Sequence, residues 1–286
     1  MTGLSLTLVL AAAGLHASWN LLAKRAGSAG VSFVWLCAAL ASVLYLPLAV
    51  GSYLVVRPDI GATEVAFLLG SGALHALYFT LLQYGYRVGD LSVVYPLARG
   101  TGPMISTVIA IAVLGERPSA PAIAGAVLIC GGVVALGRVT SSTSGGDPRA
   151  GVIFGLLTGV LIATYTLWDR HAVAVLAVPA LILDWAANAG RAVLLAPFAR
   201  RRSDVGRIWR TYRREVVIVA VISPLAYILV LTALAVSPVS YIAPAREVSI
   251  LIGTMLGVRL LKEGRLGPRL AGAGAIVAGL VALALG

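Results

Sequence analysis

The chain has 286 residues, of which 59% are hydrophobic and 12% are charged, and its mean hydropathy is +0.96. An average soluble domain is about half apolar and about a quarter charged, and a fold of this size has no interior that could hide the apolar surplus. These values exclude a water-soluble globular enzyme and predict a protein embedded in a bilayer.

The net charge of +11, from 22 Lys and Arg against 11 Asp and Glu, raises the question of a nucleic-acid partner. Most basic residues, however, fall in short gaps between apolar runs, as they do in loops that flank membrane helices. Cys37 and Cys130 each lie inside an apolar run and have no partner at metal-ligand spacing. We therefore expect two free thiols, no nucleic-acid partner, no metal and no cofactor.

Ten apolar segments are long enough to cross a bilayer, which requires roughly 20 residues each. The first lacks a basic leader and a small-residue cleavage site, so we interpret it as a retained helix. The sequence thus predicts an all-α integral membrane protein with ten transmembrane helices. In chain order they cover residues 3–23, 30–55, 64–86, 91–114, 119–137, 150–170, 177–198, 216–236, 239–260 and 267–286.

Two of the connections between these segments are longer than a tight turn. Residues 138–149 are rich in Gly and Ser, which is typical of a flexible linker. Residues 200–215 are strongly basic, which predicts an interfacial segment against anionic headgroups. Lys and Arg are concentrated in the loops after odd-numbered helices, so the positive-inside rule places those loops in the cytoplasm and both termini outside.

The chain is internally duplicated. At an offset of 147 residues (from 99 to 246, for example), residues 97–99 match 244–246 and residues 114–116 match 261–263. We therefore predict two repeats, 1–138 and 150–286, joined by a linker at 139–149. Because each repeat has five helices, an odd number, the second enters the membrane upside down. Such inverted repeats are common in secondary transporters that work by alternating access.

This organisation resembles the drug/metabolite transporter superfamily, EamA type. The resemblance rests on the paired Glu116 and Glu263, on proline in the fourth and ninth helices, and on the Gly/Ala-rich helix that ends each repeat. It implies a ten-helix transporter with both termini in the cytoplasm, opposite to the charge count. The segments HASWNLLAK, YPLARG and REVSILIG also resemble a subgroup associated with phosphonate utilisation.

The fourth predicted helix contains two prolines and two glycines around Arg99, and the ninth contains Pro244 beside Arg246. Such residues interrupt membrane helices where the backbone lines a cavity. In antiparallel copies the two arginines would lie roughly 10 Å apart in height, given the rise per residue of a helix. They could clamp an anionic or zwitterionic substrate. The alternative is that Arg246 pairs with Asp169, Asp184 or Glu247 and stabilises the bundle.

Other polar residues within spans are candidates because each is costly in a membrane. His16, Trp19 and Asn20 share a face of the first helix, and the alternative is hydrogen bonding between helices. Asp184 begins a stripe with Asn188 and Arg191, and the alternative is a structural pair with Arg191. The predicted substrate-binding set is His16, Trp19, Asn20, His75, Tyr78, Tyr95, Arg99, Tyr165, Tyr241 and Arg246. The predicted coupling or gating set is Asp169, Asp184, Glu247, Glu116 and Glu263.

The sequence predicts a secondary active transporter of a small polar or amphipathic metabolite, amino-acid-like or another zwitterion or anion, working by alternating access in the direction of export. Alternatives are a phosphonate-like anion transporter, a lipid flippase and a membrane scaffold. No phosphate loop, H-E-x-x-H or G-x-S-x-G motif occurs, so we expect no enzyme and no ATP drive. Expected partners are the substrate, membrane lipids and protons. We expect a monomer, with a dimer as the alternative, in a bacterial inner membrane.

Overall fold

A computed structural model describes residues 2–26, 30–89, 91–139, 147–202, 205–261 and 270–286. Within these ranges the chain is helical and contains no strand, which confirms the all-α prediction. The helices are α1 (Gly3–Arg25), α2 (Gly30–Val56), α3 (Ala62–Val88), α4 (Leu91–Ala112), α5 (Ala120–Val139), α6 (Pro148–Ala174), α7 (Ala180–Arg202), α8 (Val205–Val236), α9 (Val239–Ala245), α10 (Val248–Leu261) and α11 (Leu270–Leu285).

Five helices are long and apolar enough to cross a membrane, namely α1, α2, α3, α6 and α8. This supports an integral membrane protein, while the full count of ten spans stays a prediction. Helices α4 and α7 have 22 and 23 residues, but their polar side chains lower their hydropathy. These include Arg99 in α4 and Asp184 and Arg191 in α7. The described parts of α5 and α11 are apolar but shorter.

The ninth predicted span is divided into two helices. Helix α9 ends at Ala245, α10 begins at Val248, and the two residues between them form a turn. Pro244 has no N–H to donate to the carbonyl of Ser240, so the last turn of α9 lacks one of its hydrogen bonds. The interruption expected in the fourth helix is absent, because α4 continues through Pro96 and Pro103. Helices α5 and α6 both pack along α4 and support it.

The basic segment before the eighth span is helical from Val205 onward and continuous with the span itself. Tyr212, with φ of −121° and ψ of 24°, is non-helical and marks a kink between the two parts. The segment predicted to lie at the interface is therefore the first part of α8. It leaves the axis of the span at Tyr212.

The most extensive helix contacts join the two halves of the chain. Helix α1 packs on α8 as α6 packs on α3, and α2 packs on α8 as α7 packs on α3. Helices α2 and α7 also pack on each other, as do α5 and α11. The pattern is thus nearly unchanged when the first half is exchanged for the second.

Helices α5 and α11 touch through four glycines. A Cβ on Gly132 would lie 2.7 Å from the carbonyl oxygen of Gly272, and one on Gly279 would lie 2.6 Å from that of Gly125. No side chain fits at these positions, so the two backbones are in direct contact. Gly125 and Gly272 stand at the repeat offset, and so do Gly132 and Gly279.

Two tryptophans tie α2 and α7 together in a reciprocal way. The indole N–H of Trp35 donates to the carbonyl of Ala192 at 2.9 Å, and that of Trp185 donates to the carbonyl of Ser42 at 2.9 Å. Each donor therefore lies on one half of the chain and its acceptor on the other.

The bundle is apolar outside and polar at its centre. Val55, Leu69 and Val113 are 84%, 70% and 74% exposed, whereas Asp169 and Glu247 are completely buried. A soluble protein has the opposite distribution. The exposed surface is suited to lipid, and its polar groups are gathered around an internal cavity.

Candidate functional site

A central cavity of about 290 Å³ lies between helices of both halves. This is close to the lower end of the roughly 300–1,000 Å³ range of clefts that hold small ligands. Helices α1, α2, α3, α4, α6, α7 and α8 line it, together with the turn that follows α9. Aromatic and charged side chains predominate on the walls near the turn.

Arg99 of α4 and Arg246 of the turn form an arginine pair at the cavity wall, which we call the clamp. Both are buried, and both contact the carboxylate of Glu247. Nε of Arg99 lies 2.8 Å from Oε2, and Nε of Arg246 lies 3.5 Å from Oε1. Neither contact has the alignment of a hydrogen bond, and Nη2 of Arg246 has no partner among the described residues. The clamp therefore has unused donor capacity.

Aromatic rings surround the clamp. The guanidinium of Arg246 lies 5.9 Å from the ring centre of Tyr165, within the range of a cation–π interaction. Tyr78 packs edge-on against Tyr165, with ring centres 5.4 Å apart. Tyr95 also lines the cavity. These rings give the clamp an amphipathic surround, which suits a substrate with a small apolar part.

Helix α1 presents three polar or aromatic residues to the same cavity. The amide nitrogen of Asn20 donates to the carbonyl of His16 at 2.8 Å. The rings of His16 and Trp19 meet edge-on, 4.9 Å apart. The indole N–H of Trp19 is buried and has no partner among the described residues.

Three helices contribute to a buried acid cluster beside the cavity. Asp169 of α6 accepts a hydrogen bond from the hydroxyl of Tyr227 at 2.6 Å, and Nε2 of His75 lies 2.9 Å from the same oxygen. The second carboxylate oxygen, Oδ1, has no hydrogen-bond partner among the described residues. His75 and Tyr227 line the cavity, while Asp169 lies behind them.

The predicted stripe on α7 faces the cavity as well. The amide nitrogen of Asn188 donates to Asp184 Oδ2 at 3.1 Å, and Nη2 of Arg191 donates to Asn188 Oδ1. Asn188 thus stands between the acid and the base. The cavity therefore has a second charged wall, separate from the clamp.

Nine of the ten predicted substrate-binding residues line this cavity. The exception is Tyr241, whose hydroxyl accepts from the amide of Ser119 at 3.3 Å and donates to the carbonyl of Gly286 at 3.2 Å. Tyr241 lies near the start of α9, away from the cavity walls, and it joins α9 to the ends of α5 and α11. Tyr241 does not reach the site because it lies near the start of the ninth predicted span, on the side of Ser119 and Gly286.

The predicted coupling or gating residues lie in different places. Asp184 lines the cavity, and Asp169 and Glu247 lie directly behind its walls. Glu116 is distant from the clamp and accepts hydrogen bonds from the amides of Val239 and Ser240, at 2.9 and 3.0 Å. Glu263 lies outside the described residues.

Sequence reasoning missed Ser223 and Tyr227 of α8 and Tyr86 of α3, which also line the cavity. The eighth segment has so high a hydropathy that its hydroxyl groups did not stand out. Pro224 within α8 is the signal that could have directed attention there, because proline in a span marks backbone near a cavity. In the described part of the chain, no cluster of three or more His, Cys, Asp or Glu could hold a metal ion.

A helical bundle with an apolar surface and a polar cavity shared by both halves is the architecture of a membrane transporter. Residues 3–138 match the family model of the EamA-like transporter family. This match over the first half of the chain agrees with the resemblance inferred from the sequence. The match indicates a membrane transporter of small molecules.

Two further comparisons complete this result. No curated protein matches the chain. A solved structure, described only as the crystal structure of a protein, superposes with a TM-score of 0.78 at 16% sequence identity. The superposition covers 100% of this chain and 98% of that chain, so the fold is shared over the full length.

Proposed function

We propose that the protein is a secondary active transporter that exports a small amino-acid-like zwitterion or anion by alternating access. One observation carries this proposal: Arg99 and Arg246, which stand at equivalent positions of the two halves, reach the same cavity with donors left unpartnered. Two guanidinium groups offer the planar donor arrangement that carboxylate, sulfonate and phosphonate groups require.

Alternating access requires two halves that can exchange roles, and the helix contacts support this. Gly125 meets Gly279 and Gly132 meets Gly272, which is the crossed pairing that a two-fold axis between antiparallel repeats would create. We therefore propose that residues 1–138 and 150–286 are inverted repeats of one transport unit. Because this pairing occurs within one chain, we propose a monomer, in a bacterial inner membrane.

A zwitterion is the substrate class that the two charged walls favour. The clamp would hold the acidic group, and Asp184 would face an ammonium group. Asp169, Asp184 and Glu247 are buried carboxylates on or beside the cavity and are our candidates for proton coupling. Glu116, which caps α9, is our candidate gate residue.

A phosphonate-like anion is the alternative within the same class, and Arg191 favours it by adding a third guanidinium to the cavity. Lipid transport is the alternative in another class. A groove on the outer surface of α8 is lined by Trp209, Arg213 and Arg214 next to apolar Val217 and Ile218, a combination suited to an anionic lipid headgroup.

The test is a thermal-shift screen of the detergent-solubilised protein against amino acids, sulfonates, phosphonates and phospholipids. A ligand at 100 times its dissociation constant adds about 2.7 kcal/mol to the stability of the native state. We expect stabilisation by small zwitterions or anions. Stabilisation by phospholipids alone would replace the proposal with lipid transport.

The clamp is tested with the R99Q/R246Q double variant, and Arg149→Gln, an exposed change at the start of α6, is the matched control. We expect the double variant to stay folded and to lose the ligand-induced shift. The control should keep it. A double variant that binds the ligand with wild-type affinity would remove the clamp from the proposal.

A further inference from the structure

The carboxylate of Glu247 contacts both arginines of the clamp. It is completely buried, and its carboxylate oxygens lie 2.8 Å from Nε of Arg99 and 3.5 Å from Nε of Arg246. The position equivalent to Glu247 in the first half is Gly100, so a single carboxylate serves two equivalent arginines. The clamp thus already holds the chemical group that it is proposed to recognise in a substrate.

We propose that Glu247 is an internal substitute for the substrate anion, and that the incoming anion displaces it from the clamp while Glu247 takes up one proton from solvent. The inference rests on the proposed function, because it takes the clamp as the substrate site. In this step the carboxylate and a proton become a neutral carboxyl group, and the substrate anion takes the vacated position. One anion and one proton enter the site together, so the net charge held there is the same before and after the exchange.

The contacts of Glu247 are close but poorly aligned, which makes displacement feasible. Both of its oxygens, and Nε of both arginines, lack a hydrogen bond of good geometry. A substrate acid that met a guanidinium in the bidentate orientation would form stronger bonds than these. Displacement would leave Glu247 buried, and a buried carboxylate without a partner is strongly unfavourable. Protonation removes that cost.

The position of Glu247 in the chain also allows movement. It lies in the turn between α9 and α10, where its amide bonds to the carbonyl of Pro244 at 3.0 Å and its carbonyl to the amide of Ile250 at 2.9 Å. These are bonds over three residues, not those of a regular α-helix. A rotation at this turn can withdraw the carboxylate without unwinding a continuous helix.

The charge of the incoming anion is a second reason for the uptake of a proton. Three arginines and three acidic residues lie on the two walls and in the acid cluster. They are Arg99, Arg191, Arg246, Asp169, Asp184 and Glu247. A monoanion that enters adds one negative charge inside the membrane, and one proton taken up with it compensates that charge.

Ionisable groups on several packed helices face Glu247 and its two arginines. They are His16 of α1, Tyr78 of α3, Tyr95 and Arg99 of α4, Cys130 of α5, Tyr165 of α6, Tyr227 of α8 and Arg246 of the turn. His75, paired with Asp169, is the rival acceptor, since its imidazole becomes cationic on protonation. The test must separate Glu247 from His75.

The test uses ethanesulfonate, an anion at every pH examined, as the probe. Wild-type affinity should rise by up to tenfold for each unit by which the pH is lowered, as one linked proton requires. In Glu247→Gln the clamp is free at every pH, so we expect binding at least tenfold tighter than wild type at neutral pH and no pH dependence. Glu64→Gln, an exposed carboxylate on α3, is the matched control and should behave as wild type.

Three results would overturn the inference. A folded Glu247→Gln protein that binds ethanesulfonate no tighter than wild type is one. Loss of the pH dependence in His75→Gln, together with its retention in Glu247→Gln, is another. The third needs no variant: calorimetry of the wild type in two buffers of different ionisation enthalpy should count one proton taken up per anion, and a count of zero contradicts the proposal.

These outcomes are separate from a failure of the proposed function. If R99Q/R246Q binds ethanesulfonate as the wild type does, the clamp is not the site and both proposals fall. If the double variant loses binding while Glu247→Gln keeps wild-type affinity and pH dependence, the clamp stands and the role of Glu247 is wrong.

Discussion

Arg99 and Glu247 join the two halves of the chain at the centre of the bundle, with Nε of Arg99 2.8 Å from Oε2 of Glu247. The arginine belongs to the continuous helix α4 of the first half, and the glutamate to the break between α9 and α10 in the second. A continuous helix therefore contacts the break between two helices through a charged pair. Occupancy of the cavity can be transmitted to the break by way of this pair.

The two charged walls of the cavity predict that Asp184 selects for an ammonium group. Taurine and ethanesulfonate share the same sulfonate and two-carbon chain, and they differ in that amine. We expect Asp184→Asn to weaken taurine binding by about tenfold, equivalent to about 1.4 kcal/mol, while ethanesulfonate binding changes by less than about twofold. Titration calorimetry with both ligands measures this. An equal loss of affinity for both ligands would show that Asp184 stabilises the cavity but does not bind the ammonium group.

The close contact of α5 and α11 predicts a steep cost for any side chain at Gly132. A Cβ there would meet the Gly272 carbonyl oxygen at 2.7 Å and Cγ1 of Ile276 at 2.8 Å, so the helices would have to separate. We expect Gly132→Ala to lower the free energy of unfolding by about 1–3 kcal/mol, as overpacking does. Gly131→Ala is the matched control, because a Cβ at Gly131 meets nothing within 4 Å. Melting temperatures of the two variants in the same detergent compare them, and equal temperatures would refute this account of the contact.

The carboxylate of Glu116 caps α9 by accepting from the amides of Val239 and Ser240. We expect Glu116→Gln to destabilise the protein by about 1–2 kcal/mol, since a charged acceptor is lost at the start of a helix. Glu64→Gln serves as the control, because Glu64 makes a similar bond to the Gly61 amide at 2.8 Å in an exposed position. Loss of this exposed bond should lower the free energy of unfolding by only a few tenths of that amount. Thermal unfolding of both variants provides the measurement, and a loss in Glu116→Gln no larger than in the control would count against the cap.

The hydrogen bond from Tyr227 to Asp169 is expected to stabilise the buried acid cluster. Tyr227→Phe removes the 2.6 Å hydrogen bond to Asp169 and keeps the ring. Because the acceptor is a buried carboxylate, we expect a loss of about 1.5–3 kcal/mol in stability. Tyr84→Phe on α3, where the tyrosine is 46% exposed, is the control and should change stability by less than about 0.5 kcal/mol. If the two variants have the same melting temperature, the hydrogen bond from Tyr227 to Asp169 does not stabilise the protein.

Much of the architecture could be predicted from the sequence because a membrane imposes a simple rule on composition. Apolar runs of sufficient length gave the helices, and the repeat offset linked Arg99 to Arg246. Hydropathy did not predict whether the helices beside the cavity are continuous or broken. The ninth helix is divided at Arg246 and Glu247, and α4 remains continuous despite Pro96 and Pro103. Whether proline ends a helix depends on the packing of neighbouring helices, which hydropathy does not report.

Residues of the cavity wall could be predicted from the sequence where polar residues stand out against an apolar background, as for His16, Asn20 and Asp184. The identity of a residue alone does not show whether a tyrosine in a helix faces the cavity. Tyr241 was predicted to contact the substrate, but it lies near the start of α9, beside Gly286. That Arg99 also reaches Glu247 could not be derived, since it depends on how α4 and the broken helix approach each other in three dimensions.

The reciprocal tryptophan bonds between α2 and α7 have a consequence for biosynthesis. Trp35 on the first half has its acceptor, Ala192, far along the chain, and Trp185 donates back to Ser42. When the ribosome has completed only the first five helices, these helices lack the partners against which their inner faces pack. A product truncated at the linker would need a second copy of itself or a chaperone, and otherwise it would be a substrate for membrane proteases.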